Sequence, residues 1–292
     1  MKENYQRFLT LVCLILFFCY LLFHYSFVLK EVLDYTTLFL QKVFPSSFLF
    51  LLFSSLLMDY SLSSYFHSSK SYFFILSLLS GFPSGSLIIK NSFQRKEISL
   101  NEANQMIQFS HFPNPFFIFY NVSAVLSSKK LAYLFFGILV LSNYLIFLFF
   151  PKRRIQSTIT IEKKDFPNTF ISSLYKTIHV LIIIYGTSIF FYLLSLIGRR
   201  FFIIHPFLYV LWNGVFDLTS GIYSSVILSN TFYQGILLFL FISFGSIPIH
   251  MQVKSILSDT PISYKSFIKG RIVSFLLCLL SWCIYSCCTV WI

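Results

Sequence analysis

The chain has 292 residues, of which 57% are hydrophobic, 21% aromatic and only 11% charged, against about a quarter charged in ordinary soluble domains. That composition excludes a soluble globular protein, and 10 Gly with 9 Pro excludes collagen-like and low-complexity chains as well. The formal charge of +12 is spread over short segments between apolar runs, as topology signals and headgroup anchors are, and no nucleic-acid module is present. The expected partner is the lipid bilayer, not nucleic acid.

Each spanning helix needs roughly 20 apolar residues, so the length allows about six to eight crossings. The expected fold is all-α, a single polytopic transmembrane domain over residues 1–292. At the N-terminus Lys2 and Arg7 precede an uncharged run, Phe8–Val28. The run is too long for a signal peptide and lacks its small-residue cleavage site, so it reads as a retained first helix. The stretch Glu31–Val43 mixes Asp34, Gln41 and Lys42 with apolar residues and reads as an interfacial amphipathic helix. Pro45 then opens a further apolar helix that reaches Asp59.

The segment Leu78–Leu87, LLSGFPSGSL, behaves differently. Pro83 removes an amide donor, and Gly81 and Gly85 add freedom, which predicts unwinding at membrane depth. A GxxxG packing face is the competing reading. Beyond it lie an apolar run to Phe93, a polar tip Gln94–Glu97 and a return helix, opened by a Ser99/Glu102 capping box, that ends near Ser110. Each arm is about ten residues or about 15 Å, half a bilayer, which predicts a re-entrant hairpin. A second break follows at Phe109–Pro115, then apolar Phe116–Leu126. Leu131–Phe150 reads as a span. Lys152, Arg153, Arg154, Lys163 and Lys164 mark the 151–168 loop as cytoplasmic. Thr177–Gly198 reads as another span, with Lys176 snorkelling from its end.

The C-terminal half repeats the pattern. Leu211–Gly221 supplies a break, Ser220–Leu228 an arm, Ser229–Thr231 the tip and Ile236–Phe244 the return. Phe244–His250 forms the closing break, and Ile272–Ile292 the last span. The stretches Gly85–Phe109 and Gly221–Phe244 are nearly equal in length, and each closing break holds a histidine and a proline. This reads as an internal repeat of two gate-like units, 43–150 and 169–292, each with a re-entrant hairpin and interrupted helices. Paired interrupted segments of this kind point to a transporter site. The six cysteines lie in apolar runs without metal-like spacing, so no metal and no cofactor is expected.

In order, Ser80–Gly85, Phe109–Pro115, Asp217–Gly221, Phe244–Gln252 and Ser263–Phe267, with a VFPS element at Val43–Ser46, resemble the YlbJ sporulation integral membrane proteins, also called stage V sporulation protein V. These belong to the wider nucleoside-recognition or gate-domain group. Phe82, Asp217 and Ser246 stand where that family usually has Tyr, Glu and Gly. The resemblance implies a protein of endospore formers in the outer forespore membrane, moving dipicolinic acid toward the spore.

Dipicolinate is a flat ring with two carboxylates, so its site needs donors at two ends of an apolar slot. Half-helix N-termini near Ser84–Ser86 and Thr219–Gly221 offer N–H groups and the positive dipole end. Ser84, Ser86, Asn114, Thr219, Ser220 and Gln252 add side-chain donors, and Phe82, Phe112 and Phe116 an apolar slot. Gly81, Pro83, Gly85 and Gly221 shape the breaks. His111 and His250 occupy comparable places, either facing substrate or bonded to unwound carbonyls. Asp217 is a proton or cation ligand, a partner of Arg271, or a helix cap. The competing functions are transport of a nucleoside or another solute, and a non-transporting role in spore-envelope assembly. No HExxH, nucleophile elbow or P-loop is present and one deep acid leaves no acid/base pair, so no enzyme activity is expected. The coupling ion is open.

Overall fold

The computed structural model describes residues 2–60, 69–151, 165–199 and 205–290. Among these every regular element is a helix, as the composition requires of a chain that must satisfy its backbone without water. In chain order they are α1 (Lys2–Phe23), α2 (Tyr25–Asp59), α3 (Ser69–Ser80), α4 (Ser84–Gln94), α5 (Leu100–Phe109), α6 (Pro115–Leu126) and α7 (Lys129–Leu148). There follow α8 (Phe166–Arg199), α9 (Pro206–Phe216), α10 (Leu218–Ile227), α11 (231–244), α12 (Ile247–Leu257) and α13 (Tyr264–Val290). Among the described residues six stretches are long and apolar enough to cross a membrane: Asn4–Phe23, Tyr25–Asp59, Lys129–Leu148, Phe166–Arg199, Thr231–Leu257 and Tyr264–Cys288.

Two expectations about the N-terminal region are corrected. The run Phe8–Val28 is not one helix, because α1 ends at Phe23 and His24 leaves helical geometry (φ −113°, ψ 28°) before α2 begins. Nor is Glu31–Val43 a separate interfacial helix. It continues through Pro45 as one helix of 35 residues, about 52 Å long. A proline ring inside a helix clashes with the carbonyl four residues back. Here the turn before it, Phe39–Val43, widens to a π turn in which Phe44 N–H reaches Phe39 O, so the helix passes the ring instead of stopping. α2 and the 34-residue α8 pack against each other. Lys176 does not snorkel free: it pairs with Asp59 of α2 at 2.8 Å, and Ser173 donates to the same carboxylate at 3.0 Å. The basic residues of the 151–168 loop lie outside the described residues.

Opposite this pair, α13 packs on α5, α7 and α11. One apolar core joins α6, α7 and α9–α11 to Tyr35 and Phe39 of α2, and a second joins α3–α5, α12 and the start of α13. The breaks before α6, α10 and α12 lie against α2 and α8. The helix pair α4/α5 turns through Arg95–Ile98 and is started on its return by the expected capping box: Ser99 Oγ accepts from Glu102 N–H, and Glu102 Oε2 accepts from Ser99 N–H at 2.8 Å. Ser99→Ala is expected to lower stability by about 1 kcal/mol, read as a lower unfolding midpoint in detergent. An unchanged midpoint would show that the cap is dispensable. Lys90 of α4 meets Asp259, just beyond α12, at 2.7 Å.

Candidate functional site at the helix breaks

α3 stops at Ser80 and α4 starts at Ser84, as Gly81 and Pro83 predict. Gly81 takes φ +74°, a conformation L side chains rarely adopt, and a Cβ there would meet Asn114 N at 2.9 Å. Gly85 lies so close to the Ser110 carbonyl oxygen that a Cβ would overlap it. The two breaks of the first half therefore sit against each other. In the second half Gly221 of α10 abuts Gly214 of α9 with the same closeness.

Three of these breaks open helices toward one cavity of about 40 Å³. Asn114 caps α6, its Oδ1 accepting from Phe117 N–H at 2.7 Å. Asp217 caps α10, its Oδ2 accepting from Ser220 N–H at 2.7 Å. Ser246 precedes α12, and its hydroxyl, on a residue 1% exposed, has no hydrogen-bond partner. All three line the cavity with Thr219, Gln252, Ser47, Ser188 and Phe82. Each helix N-terminus is the positive end of its dipole, about half a charge, so three of them turned toward one space favour negative charge there. Among the described residues Asp217 is the one charged residue in the lining, and it is 1% exposed. Its other oxygen accepts from the Tyr35 hydroxyl of α2 at 2.9 Å. Gln252 donates to Thr187 at 2.5 Å.

Of the residues singled out in the sequence, Asn114, Asp217, Thr219 and Gln252 thus come together. Ser220 contributes its backbone N–H, and Gly81, Gly85 and Gly221 act through close packing. Pro83 forms the break at the start of α4 without lining the cavity. Ser84 faces elsewhere, lining a separate cavity of about 70 Å³ with Asp59, Lys176 and Arg95, and Ser86 is buried away from both. Of the expected aromatic slot only Phe82 is present. Phe112 packs edge-on to Phe74 at 5.3 Å, and Phe116 is 59% exposed, because the turn that aims Asn114 inward carries its neighbour on α6 outward.

The histidines also lie outside the cavity. His250 is bonded at both nitrogens: the Tyr264 hydroxyl lies 2.9 Å from Nδ1, and the Phe244 carbonyl 3.1 Å from Nε2. That is the carbonyl-bonded alternative, and it satisfies the end of α11. His111 stacks on Phe82 at 4.9 Å and meets the edge of Phe267 at 5.1 Å, its Nε2 buried without a partner.

Arg271 is not the partner of Asp217. Its guanidinium, fully buried, donates to Gln108 O (2.7 Å), His111 O (3.0 Å), Ser243 O (3.2 Å) and Asn143 Oδ1 (3.0 Å). The first two carbonyls close α5 and its break, and the third closes α11. The negative ends of two helices thus take the place of a carboxylate. Sequence reasoning missed this clasp and Tyr35. The signals present were an arginine at the edge of an apolar run, and a tyrosine one helical turn from Glu31.

No family model, curated protein or solved structure matches the chain. What fold and site define is an integral membrane protein, all-helical in its described residues, with helix breaks gathered around a cavity lined by polar and apolar side chains alike.

Proposed function

We propose that the chain is a membrane carrier for a small organic anion. The observation that carries this reading is the convergence of the α6, α10 and α12 N-termini on a cavity whose wall holds the unpartnered Ser246 hydroxyl, an arrangement suited to a carboxylate. The resemblance of the break motifs to the YlbJ sporulation proteins supplies the substrate and the place: dipicolinate, crossing the outer forespore membrane. In this reading α4/α5 and α10/α11 are the re-entrant hairpins of two repeated units, 43–150 and 169–292. The length of α4, 11 residues or about 16 Å, supports a half-crossing.

At about 40 Å³ the cavity is far below the roughly 300–1,000 Å³ of ligand pockets. Dipicolinate enters only when the helix pairs move away from the α2/α8 pair, as alternating access requires. The test is uptake of labelled dipicolinate into proteoliposomes holding the purified chain, with nucleosides as competitors. Saturable uptake that nucleosides leave unchanged is expected. Thr219→Val, which keeps the shape of a cavity-lining residue but removes its hydroxyl, should weaken apparent affinity about tenfold, the worth of one hydrogen bond to a charged group. Absence of uptake by well-folded protein under proton and sodium gradients would overturn the reading. Competition by nucleosides would reassign the substrate.

A further inference from the structure

We infer that Asp217 is the proton-binding group of this site and that the anion enters it together with a proton, an inference that rests on the carrier reading above. The cavity poses a conflict of charge. Three helix N-termini attract an anion, yet the single charged side chain in the wall is a carboxylate, and a carboxylate repels the anion that the helix ends recruit. Among the described residues no Lys or Arg lines the cavity to offset it. Two acidic groups forced into one poorly solvated space resolve the conflict by sharing a proton.

The groups facing Asp217 suit that role. From α2 comes the Tyr35 hydroxyl (2.9 Å), and Ser188 of α8 lines the same cavity. Its own helix supplies the Ser220 N–H group at 2.7 Å. α6 and α12 bring the uncharged Asn114 and Gln252 to the same cavity. One layer out, Tyr192 stacks on Tyr35 at 4.6 Å, donates its hydroxyl to the part-buried Glu31 and lies 5.6 Å from the Arg199 guanidinium. His111, His250 and Arg271 line no part of the cavity. Protonation needs no broken covalent bond. The proton adds to Asp217 Oδ1, which then donates to Tyr35 Oη, and the Tyr35 hydroxyl hydrogen turns away from Asp217 into the cavity. Because Ser220 N–H bonds the other oxygen, α10 keeps its cap in both states. The site can therefore change charge without losing the helix that forms it.

The experiment is calorimetric titration of the full chain in detergent with dipicolinate, acetate and inorganic sulfate, all fully ionised in the range used, as separate probes. It is run between pH 6.5 and 9 in buffers of different ionisation heat, which counts protons taken up on binding. The expected result is about one proton taken up per anion bound and, above the pH where Asp217 ionises, affinity falling about tenfold per pH unit. Asp217→Asn, which retains a capping acceptor, should bind at all pH values with the affinity the wild type shows at low pH, and without proton uptake. Anion binding by the wild type with no proton uptake would overturn the inference and leave the carrier reading standing. Proton uptake that persists in Asp217→Asn would overturn it by assigning the proton elsewhere. Failure of folded wild type to bind any of the three probes would overturn both.

Discussion

Arg271→Met is expected to lower the stability of the protein by about 3–5 kcal/mol, the range seen when one partner of a buried charge network is removed. Two effects oppose each other. Removing a buried guanidinium removes its desolvation penalty, and in some proteins an apolar replacement of a whole buried ion pair is neutral or stabilising. Here the replacement takes only one side of the network. Three carbonyl oxygens and Asn143 Oδ1 stay behind, each costing about 1–3 kcal/mol when buried unsatisfied. Four orphaned acceptors outweigh one relieved cation.

Arg271→Lys should fall between, because an ammonium has three donors on one point and cannot span carbonyls on three segments as a planar fork does. The loss should concern both breaks at once, since Gln108 and His111 belong to one and Ser243 to the other. The measurement is the unfolding midpoint in detergent for the three proteins, with hydrogen exchange at residues 108–114 and 243–247. A midpoint for Arg271→Met within a degree or two of wild type would show that the clasp contributes nothing.

Gly85→Ala should be strongly disruptive and Gly137→Ala harmless, although both residues lie in helices. A Cβ at Gly85 overlaps the Ser110 carbonyl oxygen, whereas at Gly137 nothing lies within 4 Å. Alanine is better than glycine in a helix interior by about 0.5–1 kcal/mol, so Gly137→Ala should be neutral or slightly stabilising. At Gly85 the same gain is overwhelmed. The obstacle is backbone, which cannot rotate away, so α4 must retreat from the Ser110–Asn114 break at a cost of roughly 3 kcal/mol. Because Asn114 caps α6 beside the cavity, the retreat should abolish uptake in any fraction that still folds. Equal thermal stability of the two variants would refute the close contact between the breaks.

Much of the architecture can be read from local chemistry. The apolar runs, the stop at Gly81–Pro83, the Ser99/Glu102 capping box and the placing of Asp217 at the start of a short helix all follow from residues within a few positions of one another. Backbone propensities, missing amide donors and capping hydroxyls act over that range. The same local reasoning erred at Pro45, because a proline reads as a helix start and a π turn that carries the helix past it has no marker in the residue types.

What lay beyond the sequence is which breaks meet. Arg271 reads from the sequence as a partner for Asp217, yet it is fully buried against the carbonyls of Gln108, His111 and Ser243. Tyr35 belongs to a stretch with the charge pattern of a surface helix, yet it donates to Asp217, 182 positions away. Lys176 looks free until Asp59, 117 positions away, arrives beside it. A hydrogen bond or ion pair between such distant groups leaves no periodicity and no spacing behind. Composition and pattern alone determined an all-helical chain for the membrane with interrupted helices. Tertiary structure alone decided that three helix N-termini share one cavity with a single acid, since the direction in which a broken helix opens depends on what its neighbours pack against.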